Sequence, residues 1–282
     1  MSAAMHLTAA NRRLIVKLAL TGTWSVIAFL YLFPYLWMVL TGFRRPVDTL
    51  TMPPKFIFMP TLDGFDAIFS EVKFQNYLGH SVIVAVSATL IVAAVAAPAA
   101  YALTHLRLRG GVFLAAILVA RMVPGIAIVV PIYLAASRLG QLDTYGVLIV
   151  IYTAFNLPFA IWLLRGFFRE IPSEVREAAI IDGCGELQVF RKIILPLVST
   201  GLVATSVFVF IAAWNEFLFA LALTNAHTAT APLAIIGFRN EYGVQWGEIG
   251  AAALMISSPV VLFAVVMQKY LVRGLTMGSV KG

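Results

Sequence analysis

Side chains able to do chemistry are few in this chain. Trp214, Asn215, Glu216 and Phe217 set an amide and a carboxylate inside a long apolar run. Ionisable groups at such depth are costly and face the interior of a helix bundle or a water-filled cavity. Beside aromatic faces they suit a hydroxyl-rich solute, because a sugar presents both hydroxyl rims and apolar ring faces. The alternative is helix-to-helix glue, with Asn215 bonding a neighbour. Arg121 is a second charge inside an apolar run. At about 1.5 Å per residue it lies about 15 Å from the start of its run, and Glu216 about 28 Å from the start of its own. The difference, about 13 Å, exceeds ion-pair reach in straight helices. A kink at Pro124 or a shared water would shorten it. Asn156 before Leu157-Pro158 reads equally as a bend or as ordinary packing.

Other chemistry is not expected. His6, His80, His105 and His227 are scattered, without the spacing of metal ligands. Cys184 is the only cysteine, which excludes an internal disulfide. No glycine loop of the ATP-binding kind occurs, and no nucleophile stands beside a base. The chain is expected to bind no metal or cofactor and to be no enzyme on its own.

These residues must be positioned by elements that live in lipid. Of 282 residues, 61% are hydrophobic and 12% charged, about half the charged fraction of a soluble domain. Apolar runs near 18–41, 76–103, 111–136, 143–165, 197–223 and 249–271 are each long enough to cross about 30 Å of hydrocarbon. Helices are the only sensible spanning form at this hydropathy. The expected fold is an all-α membrane protein of six transmembrane helices, both termini on one side. Arg12, Arg13, Lys17, Arg107, Arg109, Arg165, Arg169, Arg176, Arg191, Lys192, Lys269, Arg273 and Lys281 fall on that side. Arg44, Arg45, Lys55, Lys73, Arg138 and Arg239 fall on the other, so the positive-inside rule puts both termini in the cytoplasm. The net charge of +7 is accounted for by topology and needs no nucleic acid. The first external segment, about 42–75, reads as a folded-down loop with a short interfacial helix near 63–69, or else as a mere linker. No internal repeat is visible.

The longest polar stretch after residue 75 is the cytoplasmic loop 172–196. Pro172 and Ser173 start a helix, with Glu174 and Glu177 in its first turns where carboxylates suit the N-terminus. Asp182-Gly183 stops it, Gly183 taking a left-handed backbone. A second short helix carries Phe190, Arg191 and Lys192 to Pro196, which suits a first turn.

Glu177-Ala178-Ala179, Asp182-Gly183, Phe190 and Leu195-Pro196 at these spacings resemble the coupling loop of permease subunits of ATP-binding-cassette importers. Cys184 stands where that family has alanine or serine, and is similarly small. The tail YLVRGLTMGSVKG, from Tyr270 to Gly282, resembles that of the maltose-permease G type, with Met277 and Ser279 in place of small apolar residues. The external segment 224–248 resembles, in position and in its Tyr242…Trp246-Gly247 pattern, the loop that reaches a binding protein in the sugar branch; an ordinary exposed loop is the alternative.

The resemblance implies a permease subunit in a bacterial cytoplasmic membrane that moves a di- or oligosaccharide, trehalose or a maltose-like glucoside within that class. It implies a second related permease, two ATPase subunits holding ATP and magnesium, and an extracytoplasmic sugar-binding protein. Residues 1–17 form a cytoplasmic N-terminus, 18–271 the six-helix domain with a coupling helix between spans four and five, and 272–282 the tail. Glu177, Ala178, Ala179, Asp182, Gly183, Phe190 and Pro196 are implied in coupling to the ATPase, and Gly278, Lys281 and Gly282 in touching it. Arg121, Asn156, Trp214, Asn215 and Glu216 are candidates for the solute path. Asn240, Glu241, Tyr242 and Trp246 are candidates for contact with the binding protein. The same machine carrying another solute, such as glycerol phosphate, is the nearest alternative. An ion-coupled secondary transporter would favour internal repeats and a midplane carboxylate site, and a purely structural scaffold would not need the coupling loop.

Overall fold

The computed structural model describes residues 9–49, 51–106, 110–240 and 243–276. The chain divides into two compact units, Met1–Glu71 with Phe238–Leu254, and Val72–Gly237 with Met255–Gly282.

The first unit opens with α1 (Ala9–Thr41), followed by the short α2 (Pro46–Thr49) and α3 (Asp63–Ser70). The last of these is the short helix expected near 63–69, with Asp63 and Asp66 in its first turn where the helix dipole favours them. A Cβ on Gly250 would lie 2.4 Å from the Gly42 nitrogen, so two backbones meet here with no room for a side chain.

The larger unit is built on α4 (Phe74–His105). Ser81, Ala85, Ala88, Val92, Ala96 and Ala100 are buried at helical spacing. Small side chains on one face let neighbouring membrane helices approach closely. Then come α5 (Gly110–Arg121), α6 (Gly125–Arg138) and α7 (Tyr145–Arg169), the last lying along α4. The loop helices α8 (Ser173–Ile181) and α9 (Glu186–Gln188) follow, then a π-helical segment Val189–Ile194 and α10 (Leu195–Leu197). Next, α11 (Ser199–Trp214) packs on both α4 and α7, followed by α12 (Leu218–Leu223) and α13 (Ala231–Ala234).

Two short strands, β1 (Arg239–Asn240) paired antiparallel with β2 (Gly243–Val244), are the only strands among the described residues. They belong to the first unit and precede α14 (Trp246–Thr276), which begins in that unit and ends in the larger one. Pro259 within α14 leaves the Met255 carbonyl without its helical donor, and the Ser258 hydroxyl donates to it at 3.0 Å.

Among the described residues, four helices are long and apolar enough to cross a membrane: Leu14–Thr41, Phe74–His105, Tyr145–Arg169 and Trp246–Gln268. They fall on four of the six expected runs. The run 111–136 is not one helix. It breaks at 122–124, where Pro124 has extended backbone (ψ 131°) and ends helical geometry in the residue before it. The run 197–223 breaks at 215–217, and its lower part meets the helical stretch Glu186–Leu197 at 77°.

Candidate functional site

Helix α8 ends as its sequence dictates. Gly183 has φ +85°, a left-handed conformation that costs a residue with a side chain. Its N–H donates to the Ile180 carbonyl and that of Cys184 to the Ala179 carbonyl, both at 3.0 Å. This paired closure satisfies carbonyls the helix end would strand. Ala179 is buried, in a core with Val189 and Ile194 from the same loop and Tyr101, Leu164 and Phe168 from α4 and α7. The opposite face is bare: Glu177, Ala178 and Asp182 are exposed, with Ile181 at 85% and Leu187 at 63%. Phe190 points inward, its ring 5.1 Å from that of Tyr101, and Pro196 opens the turn that leads into α11.

One carboxylate ties this loop to α4. Glu186 pairs with the Arg176 guanidinium and accepts from the Tyr101 hydroxyl at 2.8 Å. A second, weaker approach runs from Arg176 Nε to Glu186 Oε2 at 3.4 Å. Tyr101 is 4% exposed and packs against His105 and Phe168. None of Arg176, Glu186 and Tyr101 is a sequence candidate. Tyr101 lies 85 residues from its partner, and no local period connects them.

Arg121, Asn215 and Glu216 of the apolar runs lie at helix breaks, while Asn156 lies within the continuous α7. Trp214 is buried and its Nε1 donates to the Ile256 carbonyl of α14 at 2.9 Å, the helix-to-helix role. Asn215 ends α11, exposed, its amide donating to Ile211 O at 2.8 Å. Glu216 accepts from the backbone N–H of Phe219 (2.9 Å) and Ala220 (3.2 Å), capping α12. Arg121 closes α5, exposed, with its guanidinium 5.2 Å from the Phe159 ring centre. Arg121 and Glu216 form no ion pair among the described residues. Asn156 is buried and donates to the Tyr152 carbonyl at 2.8 Å.

At the turn between α6 and α7, Asp143 accepts from the N–H of Asn225 (3.0 Å), His227 (3.2 Å) and Thr228 (3.0 Å) and from the Thr228 hydroxyl (2.8 Å). Partial burial pushes its pKa up, but these four donors outweigh that and hold the carboxyl below the usual range. Its φ of +56° is one that Asp and Asn tolerate. Trp246 is exposed and Asn240 sits in β1 opposite Gly243. Glu241, Tyr242, Gly278, Lys281 and Gly282 lie outside the described residues. Among the described residues no three side chains are grouped to hold a metal ion.

Against known proteins, residues 90–277 match the family described as binding-protein-dependent transport system inner membrane component. The chain belongs to this family. A probable ABC transporter permease protein, y4oR, of Sinorhizobium fredii (strain NBRC 101917 / NGR234) is 60% identical over 98% of this chain and 100% of its own length. The trehalose/maltose transport system permease protein MalG of Thermococcus litoralis is 35% identical over 91% of this chain and 94% of its own. In fold, the chain is similar to a crystal structure of a bacterial ABC transporter involved in the import of the acidic polysaccharide alginate. The TM-score is 0.76 at 22% identity, covering 93% of this chain and 98% of that one. Membership makes this protein an inner-membrane transport component, and no enzymatic family is indicated.

Proposed function

We propose that this permease is one of two that together enclose the path of an ATP-driven importer for a di- or oligosaccharide, of the trehalose or maltose kind. The observation that carries the reading is the exposed face of α8, with Glu177, Ala178 and Ile181 outward, on a loop fixed to α4 through Glu186. Such a face suits a cleft in an ATPase: small side chains allow close approach and Glu177 can take an arginine partner. ATP and magnesium belong to two such ATPases and not to this chain. A sugar-binding protein delivers the solute from outside, and the similarity to a trehalose/maltose permease supports the solute class.

In this reading the chain crosses the membrane six times between residues 18 and 271. The pairs α5 with α6 and α11 with α12 each make one broken span. Irregular backbone at membrane depth is tolerated where it is buried in protein or lines a water-filled cavity. Breaks that carry exposed Arg121 and Asn215 therefore suit the wall of a solute path. Both termini are cytoplasmic, and the tail 272–282 touches the ATPase pair. ATP drives alternation only through its different affinity for the two states, delivered by way of α8.

The test is a tagged chain purified from its own membranes, with uptake of labelled trehalose or maltose measured in parallel. Co-eluting ATPase subunits and sugar uptake are expected. Glu177→Lys is expected to abolish uptake while the chain still inserts. Wild-type uptake in that variant, or a purified chain without ATPase, would sink the reading.

A further inference from the structure

In the first unit, Arg44 is a cation with no counter-ion among the described residues. Its residue surface is 3% exposed, and its Nε and Nη2 have no hydrogen-bond partner among the described residues. Arginine stays protonated in proteins, so the charge is real. Two aromatic rings lie against the guanidinium, Trp37 with its centre 4.3 Å and Phe58 4.8 Å from the central carbon. The nearest acidic residue in sequence, Asp48, is already held by Lys55 at 2.5 Å. Nε and Nη2 share one edge of the guanidinium. That edge is the fork that grips two oxygens of a carboxylate or a phosphate side by side.

Arg44 forms part of the wall of a cleft of about 470 Å³, with Trp37, Met38, Thr41, Trp246 and Ile249. The cleft lies where α1 ends and α14 begins, so it sits at a bilayer boundary. Tryptophan is enriched at that level. The most apolar stretch of α1 leading up to it is wholly unburied. Beside it, Met52 and Ile57 are 96% and 95% exposed, with Phe56 and Met59 also outward. Apolar side chains this bare at a membrane boundary belong in acyl chains.

We propose that the cleft is a phospholipid site, in which the phosphate of one lipid is gripped by the Nε/Nη2 fork of Arg44. Its upper acyl carbons lie on Trp37, Met38 and Ile249. A phosphate oxygen enters as the Phe58 ring turns aside. The apolar lining and the bilayer level favour a lipid over an acidic side chain of a docking protein.

The test uses the full chain assembled with its partner subunits, delipidated in detergent and titrated with dioleoylphosphatidylglycerol under native mass spectrometry. The wild type is expected to hold one lipid at least about tenfold more tightly than Arg44→Met. Arg44→Lys keeps the charge but lacks the fork, and is expected to fall between; it also serves if the methionine variant fails to assemble. Equal retention by wild type and an assembled variant would overturn the proposal. Displacement of the lipid by millimolar glycerol phosphate alone would overturn it too, since the site would then take free phosphate. So would a variant that keeps its lipid yet loses its binding protein.

Discussion

Replacing Glu186 with glutamine keeps the shape of the side chain and removes its charge. The variant loses a forked pairing with Arg176 and weakens the bond from Tyr101. The two partners differ in what they contribute. The Arg176 and Glu186 side chains are 22% and 42% exposed, so water screens the pair and its net worth is about 0–1 kcal/mol. Tyr101 is buried, and its bond to a charged acceptor is worth about 1.5–3 kcal/mol, of which a neutral amide retains part. The anchorage of the loop on α4 should therefore fall by about 1–2 kcal/mol, or about 5- to 30-fold in the docked fraction. In proteoliposomes with all partners present, Glu186→Gln is expected to hydrolyse ATP at near the wild-type rate while sugar taken up per ATP falls severalfold. Tyr101→Phe should give a smaller loss of the same kind. The double variant should fall short of the summed effects by more than about 0.5 kcal/mol, because both changes act on the same bond. Unchanged uptake per ATP in Glu186→Gln, or strict additivity, would refute the idea that this carboxylate joins loop to bundle.

Two further outcomes follow from the geometry. Asp143 has its pKa lowered in the folded protein, so the stability it contributes is present above the unfolded carboxylate value near 3.9 and is lost as pH falls through the lower, folded value. Hydrogen exchange at the amides of Asn225, His227 and Thr228, corrected for intrinsic rate, should show protection at pH 5–7 that fades only below about pH 4; Asp143→Asn should lose much of it at neutral pH. Gly183→Ala forces a side chain into φ +85° and should cost about 1–2 kcal/mol, read as a lower thermal midpoint and a lower yield of assembled complex.

What could be read from the sequence was local. Gly183 after Asp182 announced a left-handed helix stop, and the stop is there with both of its closing bonds. The runs that became α1, α4, α7 and α14 announced themselves by length and hydropathy, and a short helix stands where one was expected, near 63–69. The two interrupted runs did not, because hydropathy does not register a helix break. At 124 the proline was visible but proline alone is ambiguous, since Pro98 and Pro158 sit inside unbroken helices. At 215–217 the break rests on the Glu216 carboxylate turning back to cap α12, and the same residue had read as a solute group. Arg176 with Glu186 and Tyr101, Asp143 with the 225–228 turn, and Arg44 between Trp37 and Phe58 were out of reach for a different reason. Each joins residues brought together only by folding.

The placement of rigid and yielding parts in the loop bears on how a push would travel. Helix α8 is closed at its C-terminus by two backbone bonds and fixed to α4 through Glu186, so a displacement of its outer face has little slack before α4 feels it. Beyond it the chain runs through a π-helical segment, then Pro196, then a 77° bend. Proline supplies no N–H to the ladder, and a π-turn is wider than an α-turn. Compliance is therefore concentrated between the loop and α11, and stiffness between the loop and α4. A force applied at Glu177 and Ile181 should move α4 with α8 and leave α11 to pivot at Val198. Spin labels on the exposed positions 178, 90 and 203 can follow this, with Ala178 on α8, Leu90 on α4 and Val203 on α11. The 178–90 distance should hold on ATP binding while 178–203 changes. The reverse pattern would mean that the bend, and not the Glu186 contact, carries the motion.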